Sequence, residues 1–316
     1  MKEEKLLSIV IPAYNEQDMI SLAFQTVNEL LGEAHIAFEV IFIDDGSKDL
    51  TFKEISQLSF QYPQVKGLSF SRNFGKEAAI FAGLEASRGD ACVIMDCDLQ
   101  HPPATIIEMY RLWEEGYEIV EGIKSSRGKE NPVHTFSAKS FYRIISAATG
   151  IDMSQASDFK LLDRKAVDAL LLMPERAPFF RALSSWIGFH SATVSFDVKE
   201  RQAGTSKWSA RSLIKYAIRN ITSFSGAPMQ LVTLLGWLML LFSIVLGIHS
   251  LYRYMTGTAL EGFTTVILIQ LIIGSVLMIS LGIIGHYISR IYDEIKARPR
   301  YIIRQRCGDP AASPPK

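Results

Sequence analysis

The sequence predicts an α/β domain built on a parallel sheet, joined near its C-terminal end to a pair of membrane-spanning helices. Three observations carry that expectation. Short apolar runs rich in Val, Ile and Phe alternate with segments whose apolar residues recur at helical spacing. Each of the first four such runs ends in a polar, turn-forming cluster. Further on, charge disappears twice: no Lys, Arg, Asp or Glu lies between Arg219 and Arg253, and none between Glu261 and Arg290.

In order, the strand-like runs are Leu6–Ile11, Phe38–Ile43, Val65–Phe70 and Ala91–Met95. Between them Met19–Leu31, Thr51–Tyr62 and Glu77–Ser87 carry apolar residues at helical spacing. Strands alternating with helices imply a parallel sheet covered on both faces, with ligands at the carboxyl ends of the strands. From Asn131 the pattern changes. His134–Ala148 sets Phe141, Ile144, Ile145 and Ala148 beside Lys139 and Arg143. Ser209–Ile221 sets Ile214, Ala217, Ile218 and Ile221 beside Arg211, Lys215 and Arg219. An apolar stripe flanked by a basic one suits a helix in the lipid headgroup region, and Ser209–Ile221 directly precedes a span. His134–Ala148 suits an ordinary surface helix equally well.

The charge-free stretches, at about 229–252 and 263–288, each exceed the ~20 apolar residues that cross a hydrocarbon core. Their linker, Arg253–Glu261, is short enough to make a hairpin. Lys199, Arg201, Lys207, Arg211, Lys215 and Arg219 precede the first span, and Arg290, Lys296, Arg298, Arg300, Arg304 and Arg306 follow the second. Only Arg253 lies between, so positive-inside counting puts both termini in the cytoplasm. The expected organisation is a cytoplasmic domain over 1–208, an interfacial segment over 209–228, two spans within 229–289, and a basic tail over 290–316, disordered from Gly308. Met1–Leu7 lacks an apolar core, so no cleavable signal peptide is expected. Cys92, Cys97 and Cys307 lack metal-site spacing and lie on the reducing side, so no disulfide is expected. The net charge of +0 is uninformative as a sum, because the basic residues matter by position; no nucleic-acid partner is expected.

The strand-end clusters are Pro12-Ala13-Tyr14-Asn15-Glu16, Asp44-Asp45-Gly46-Ser47, Ser71-Arg72-Asn73-Phe74-Gly75-Lys76 and Asp96-Cys97-Asp98. Two carboxylates flanking one residue at a strand end can hold a divalent cation, and hard oxygen ligands shared with a diphosphate suit Mg²⁺ or Mn²⁺. Alone, an Asp-x-Asp is common on solvated turns, and Asp44–Ser47 alone reads as a turn with an N-cap. Four clusters on one sheet edge are not well explained as four turns.

These residues resemble family 2 glycosyltransferases of the GT-A fold, and within them the polyprenyl-phosphate branch of dolichol-phosphate mannose synthases and bactoprenol glucosyltransferases. The resemblance covers nearly the whole chain, including the two-span hairpin. The opening Pro12, Tyr14, Asn15 and Glu16 match the Pro-x-Tyr-Asn-Glu that contacts the nucleoside, and Asp44 and Asp45 match the pair implied in base and ribose recognition. The metal motif appears as Asp96, Asp98, Leu99, Gln100, Pro102 and Pro103, with Asp96 and Asp98 as implied ligands and Gln100 beside the donor. Ser157-Asp158-Phe159 and Arg201, Gly204, Ser206 and Lys207 complete the pattern. His101 and Ala104 stand where acidic residues are frequent, and His101 is expected to be a solvated loop residue. The Gln-x-x-Arg-Trp of processive synthases is absent, which points to one sugar per cycle.

The resemblance implies a UDP-sugar donor, glucose in the two-span relatives, and inverting transfer to undecaprenyl or another polyprenyl phosphate at the inner membrane. It also implies membrane lipids as surroundings, a homo-oligomer, and a downstream flippase and second glycosyltransferase. The leaving diphosphate would be stabilised by a metal on Asp96 and Asp98 and by Lys76. A phosphate monoester has a second pKa near ~6, so the acceptor is largely the dianion at neutral pH and needs little base. Asp158 is therefore read as orienting acceptor or sugar, against the family precedent of a base. Arg201, Ser206 and Lys207, with Arg127 and Arg143 behind them, are the candidates for the acceptor phosphate; Asp158, Asp98, Arg201 and Lys207 are the catalytic candidates. The alternatives are another sugar (N-acetylhexosamine, mannose, galactose), another acceptor such as diacylglycerol or a protein, and an inactive membrane scaffold.

Overall fold

A computed structural model describes residues 5–124, 157–176, 178–196, 227–256 and 262–308. Its contacts divide the chain into two compact units, one of Met1–Trp208 with Pro299–Lys316 and the other of Ser209–Arg298.

The first unit opens β1 (Leu6–Ala13), α1 (Gln17–Glu33), β2 (Ala37–Asp44), α2 (Thr51–Gln61), β3 (Val65–Phe70), α3 (Lys76–Ala86) and β4 (Ala91–Ile94). These are the expected elements, shifted by a residue or two at their ends. There follow α4 (Ala104–Glu114), β5 (Ile119–Lys124), β6 (Lys160–Asp163), α5 (Arg164–Leu171), α6 (Phe180–Trp186) and β7 (Ser191–Phe196), and, after the second unit, β8 (Ile303–Cys307). The strands form one sheet in the order β7-β5-β6-β4-β1-β2-β3-β8.

Leu7, Ile9 and Ile11 of β1 join a core cluster with Ile20, Phe24 and Val27 of α1, Ile55 of α2, and Ile106 and Met109 of α4. On the other face Val10 and Ile43 close on Gly83 of α3, where a Cβ would meet Val10 Cγ1 at 2.2 Å. Both faces are thus covered, which is why the strands read as unbroken apolar runs instead of alternating ones.

β1 pairs in parallel with β2 on one side and β4 on the other, and β2 pairs in parallel with β3. Chain order reverses across β1, so the crevice beyond its carboxyl end is the place for a ligand. The sheet is not all parallel, however. β6 runs antiparallel between β4 and β5, and β8 antiparallel along β3. Within the basic tail expected over 290–316, Ile303–Cys307 forms an edge strand. It eluded the sequence reading because its exposed residues, Arg304, Gln305 and Arg306, are polar, as edge strands tend to be.

The second unit contains α7 (Ala227–Met255) and α8 (Phe263–Ile295), which contact each other. Within them Val232–Arg253 and Ile272–Ile295 are long and apolar enough to cross a membrane. Trp237, Leu241, Ile248, Met278 and Leu281 stay exposed, which a buried core helix would not allow. α8 runs on past the predicted apolar stretch through Arg290, Asp293 and Glu294, because a helix satisfies its own backbone whatever its side chains. The segment 134–148 and residues 209–226 lie outside the described residues.

Candidate active site

Beyond the carboxyl ends of β1, β2 and β4 lies a cleft of about 390 Å³, lined among others by Pro12, Tyr14, Glu16, Asp45, Asn73, Gly75, Lys76, Asp96 and Asp98. All four sequence clusters therefore meet at one place. The backbone explains how. Asn15 enters the left-handed region at φ 55, its amide donates to Ser47 Oγ at 2.9 Å, and its Oδ1 accepts from the Lys48 amide at 2.9 Å. Gly46, at φ +68, lets the loop after β2 lie against that after β3; a Cβ there would sit 2.4 Å from the Arg72 carbonyl carbon.

The paired carboxylates of the second cluster divide the work. Asp44 is buried, with Oδ1 accepting from the Ser47 amide at 2.8 Å and Oδ2 from Ser69 Oγ at 2.7 Å, and it does not line the cleft. Asp45 does line it, and receives the Phe74 and Gly75 amides at 2.6 and 2.9 Å. Burial raises the Asp45 carboxyl above its usual range, and the two amides offset part of that rise. Asn15 and Gln100 likewise brace loops instead of lining the cleft: the Gln100 amide donates to Asp98 Oδ1 at 3.1 Å, and Leu99 between them sits at φ 54.

At the centre Lys76 Nζ lies 2.6 Å from Asp96 Oδ1 and 2.8 Å from Asp158 Oδ2. Arg181 of α6 grips the same Asp158 through Nε to Oδ1 at 2.7 Å and Nη2 to Oδ2 at 2.9 Å. Asp158 is only 7% exposed, and its burial alone would raise its pKa; Lys76 and Arg181 outweigh that and hold it well below the ordinary carboxylate value. Burial would lower the Lys76 pKa, but Asp96 and Asp158 together hold the ammonium charged. The site thus places Lys76 in the cleft lining among Glu16, Asp45, Asp96 and Asp98, and clamps the ionised Asp158 carboxylate between Lys76 and Arg181.

Asp96 and Asp98 supply hard oxygen donors to one cleft, while Cys97 between them packs into the core with its thiol pushed up by burial. Among the described residues no group of three His, Cys, Asp or Glu side chains converges. The two carboxylates fit a Mg²⁺ or Mn²⁺ ion that takes its remaining ligands from a diphosphate and water.

Arg181 escaped the sequence reading, since no motif marks it. The signal available was a lone cation among apolar neighbours, Phe179, Phe180 and Ala182, all buried. Lys160 was also missed: it is 1% exposed and lies 3.1 Å from Glu121 Oε1 and 2.9 Å from Ser184 Oγ. The expectation of a solvated His101 is overturned. Its ring is 7% exposed, stacks on Phe159 at 4.9 Å and meets Phe196 edge-on at 5.5 Å. The apolar ring platform outside the loop, from β7 and the Ser-Asp-Phe segment, draws it in. Arg127, Arg143, Arg201, Ser206 and Lys207 lie outside the described residues.

Glu77, next to Lys76, accepts the Phe180 amide at 2.8 Å and so ties α3 to the helix bearing Arg181. Burial and the Asp158 charge push its carboxyl up to about 7. A raised carboxyl favours folding below its unfolded value of 4.5, and that contribution is lost as pH rises through about 7. Glu77→Gln keeps the acceptor and removes the charge, so at pH 8 its Tm is expected to exceed that of the parent. At pH 5 the two should converge. Paired thermal melts at these pH values are the check.

Comparison with known proteins matches residues 8–171 to the family described as glycosyl transferase family 2. The uncharacterized glycosyltransferase YkcC of Bacillus subtilis (strain 168) is 38% identical over 303 residues, covering 95% of this chain and 94% of that protein. The bactoprenol glucosyl transferase of Shigella phage SfX is 35% identical over 302 residues, covering 95% of this chain and 99% of that one. Among solved structures, a mycobacterial protein of 19% identity superposes with a TM-score of 0.50 over 70% of this chain and 75% of its own, a likeness of fold alone.

Proposed function

The chain belongs to glycosyl transferase family 2, as a glycosyltransferase of the GT-A fold, and from that premise we propose that it moves a single glucose from UDP-glucose to a polyprenyl phosphate, with inversion, at the cytoplasmic face of the inner membrane. The observation that carries this reading is the end-to-end similarity to a bactoprenol glucosyl transferase, which leaves no large part of either protein unmatched. The chain's helices long and apolar enough to cross a membrane fit a lipid acceptor.

In the proposed chemistry, Tyr14, Glu16 and Asp45 hold the nucleoside end of the donor, with Pro12, Asn15, Asp44 and Gln100 shaping the loops around it. Asp96 and Asp98 would hold Mg²⁺ or Mn²⁺, which when bound supplies positive charge to the diphosphate. Lys76 adds a second positive charge on the leaving-group side. The acceptor phosphate attacks the anomeric carbon as a dianion, so a strong base is not required. Asp158, clamped by Arg181 and Lys76, orients the reacting groups. Arg201, Ser206 and Lys207, supported by Arg127 and Arg143, neutralise the approaching phosphate. On this reading 1–208 is the cytoplasmic catalytic domain, 209–228 lies in the headgroups and 229–289 spans twice. A flippase and a second glycosyltransferase would consume the glycolipid. A homo-oligomer is compatible with this division.

The test uses purified chain in lipid, radiolabelled UDP-glucose, Mg²⁺ and undecaprenyl phosphate. Label is expected in the lipid phase with UDP release in equal amount, and none when undecaprenol replaces the phosphate. Transfer from a different nucleotide sugar would change the donor alone. Silence with UDP-glucose, UDP-galactose, UDP-N-acetylglucosamine and GDP-mannose would remove the transferase reading.

A further inference from the structure

We propose that the segment returning after α8, from Arg300 to Cys307, positions the loop 71–75 of the cleft, and that Tyr301 is its principal positioning residue. Loop 71–75 leaves the end of β3 and enters α3, and its Phe74 and Gly75 amides hold Asp45 at 2.6 and 2.9 Å. Its two ends belong to different elements. A loop whose ends are pinned samples fewer conformations than one whose ends can separate.

The returning segment grips both elements between which the loop is strung. On the strand side, β8 pairs with β3 in the register Leu68↔Arg306, Ser69↔Gln305 and Phe70↔Ile303, and the Ser71 amide donates to the Ile302 carbonyl at 2.9 Å. On the helix side, the Tyr301 hydroxyl bonds Glu85 of α3, and the Arg300 guanidinium lies 4.8 Å over the Phe81 ring of the same helix. Arg300 also donates to the Met173 and Glu175 carbonyls, which fixes its own place.

Tyr301 joins these two grips to the loop itself. Its ring stacks on Phe70 at 5.0 Å and 13°, and Phe70 meets Phe74 edge-on at 5.7 Å and 88°. Arg72 lies over the Phe74 ring at 4.3 Å. A line of rings thus runs from Tyr301 through Phe70 to Phe74, whose amide is one of the two on Asp45. Tyr301 itself does not line the cleft and acts only through these neighbours. Calling Asp45 a donor contact rests on the transferase reading; the ordering of the loop does not.

The experiment is hydrogen exchange on the full-length protein in lipid, comparing the parent with Tyr301→Ala, Tyr301→Leu and Tyr301→Phe, alongside UDP binding by calorimetry. Exchange across 71–75 is expected to speed by about three- to tenfold in Tyr301→Ala, as loss of one aromatic pair implies. β1 and α1 should keep their protection, and Tyr301→Phe should restore most of the loop's. Tyr301→Leu keeps apolar volume at the site and should also expose the loop, which guards against an alanine variant that does not fold. UDP affinity should weaken by a similar factor. Unchanged exchange at 71–75 in the folded Leu variant would overturn the proposal, as would equal loosening of β1. If the parent binds no UDP while the exchange pattern appears as described, the UDP-donor reading fails and the positioning role stands.

Discussion

Asp158→Asn is expected to lower turnover by about 10²- to 10³-fold and to destabilise the fold at the same time. Asp158 receives two hydrogen bonds from Arg181 and one from Lys76 while only 7% exposed. Neutralising it removes the carboxylate that Lys76 and Arg181 share, and leaves Lys76 its ion pair with Asp96. The loss destabilises by less than the ~3–5 kcal/mol of a fully buried pair, because the Lys76 and Arg181 side chains left behind are 41% and 26% exposed and water screens them. The Tm should therefore fall with the rate. The carboxyl lies below its unfolded value of 3.8, so its stabilisation exists above that value and is lost as pH falls through the depressed folded one. In strong acid the melting difference should close. The pH–rate profile separates the two roles open to Asp158. Held by two cations, it is a weak base, and residual activity of Asp158→Asn should still rise through the acceptor's ionisation near ~6. A residual rate indifferent to that ionisation would return the base role to Asp158.

Asp96→Asn makes a contrasting pair. Turnover is again expected to fall by about 10²- to 10³-fold, through the lost metal carboxylate. Stability should change by less than about 1 kcal/mol, because the Asp96 side chain is 31% exposed, its ion pair with Lys76 is open to water, and Lys76 keeps Asp158. Chelation should silence the parent enzyme, and added Mg²⁺ or Mn²⁺ should restore it. The same additions should leave the variant silent. Metal binding followed by calorimetry with UDP gives a readout independent of turnover. An Asp96→Asn protein that binds metal and UDP like the parent would remove Asp96 from the metal site.

Neighbouring residues that look alike in the sequence part ways in the structure. Asp44 and Asp45 are adjacent acids, yet one braces Ser47 and Ser69 and the other faces the cleft. Side chains alternate across a strand, and nothing in a dipeptide says which neighbour will turn outward where the strand ends. Asp96 and Asp98 were legible because they close an apolar run whose strand character is local, and Lys76 because it ends the polar cluster that follows another. Arg181 was not, because it reaches Asp158 from a helix placed by packing against α5 and by the Phe180 amide's hydrogen bond to Glu77 of α3. His101 was misread for a related reason: its loop is polar, and the rings that bury it come from Phe159 and Phe196, far along the chain.

By itself the sequence determined what depends on local pattern: strands buried on both faces, the helices between them, the polar strand ends, and two stretches long and apolar enough to cross a membrane. Hydrophobic periodicity and charge position are properties of short windows, so they survive without coordinates. The tertiary structure alone decided what depends on distant partners. It reversed β6 and β8 within the sheet, brought Arg181 and Lys76 onto one carboxylate, and turned part of a polar tail into the strand that fastens the loop at 71–75. A hydrogen bond or ion pair between residues tens of positions apart leaves no mark in either one's neighbourhood, and only chain packing selects it.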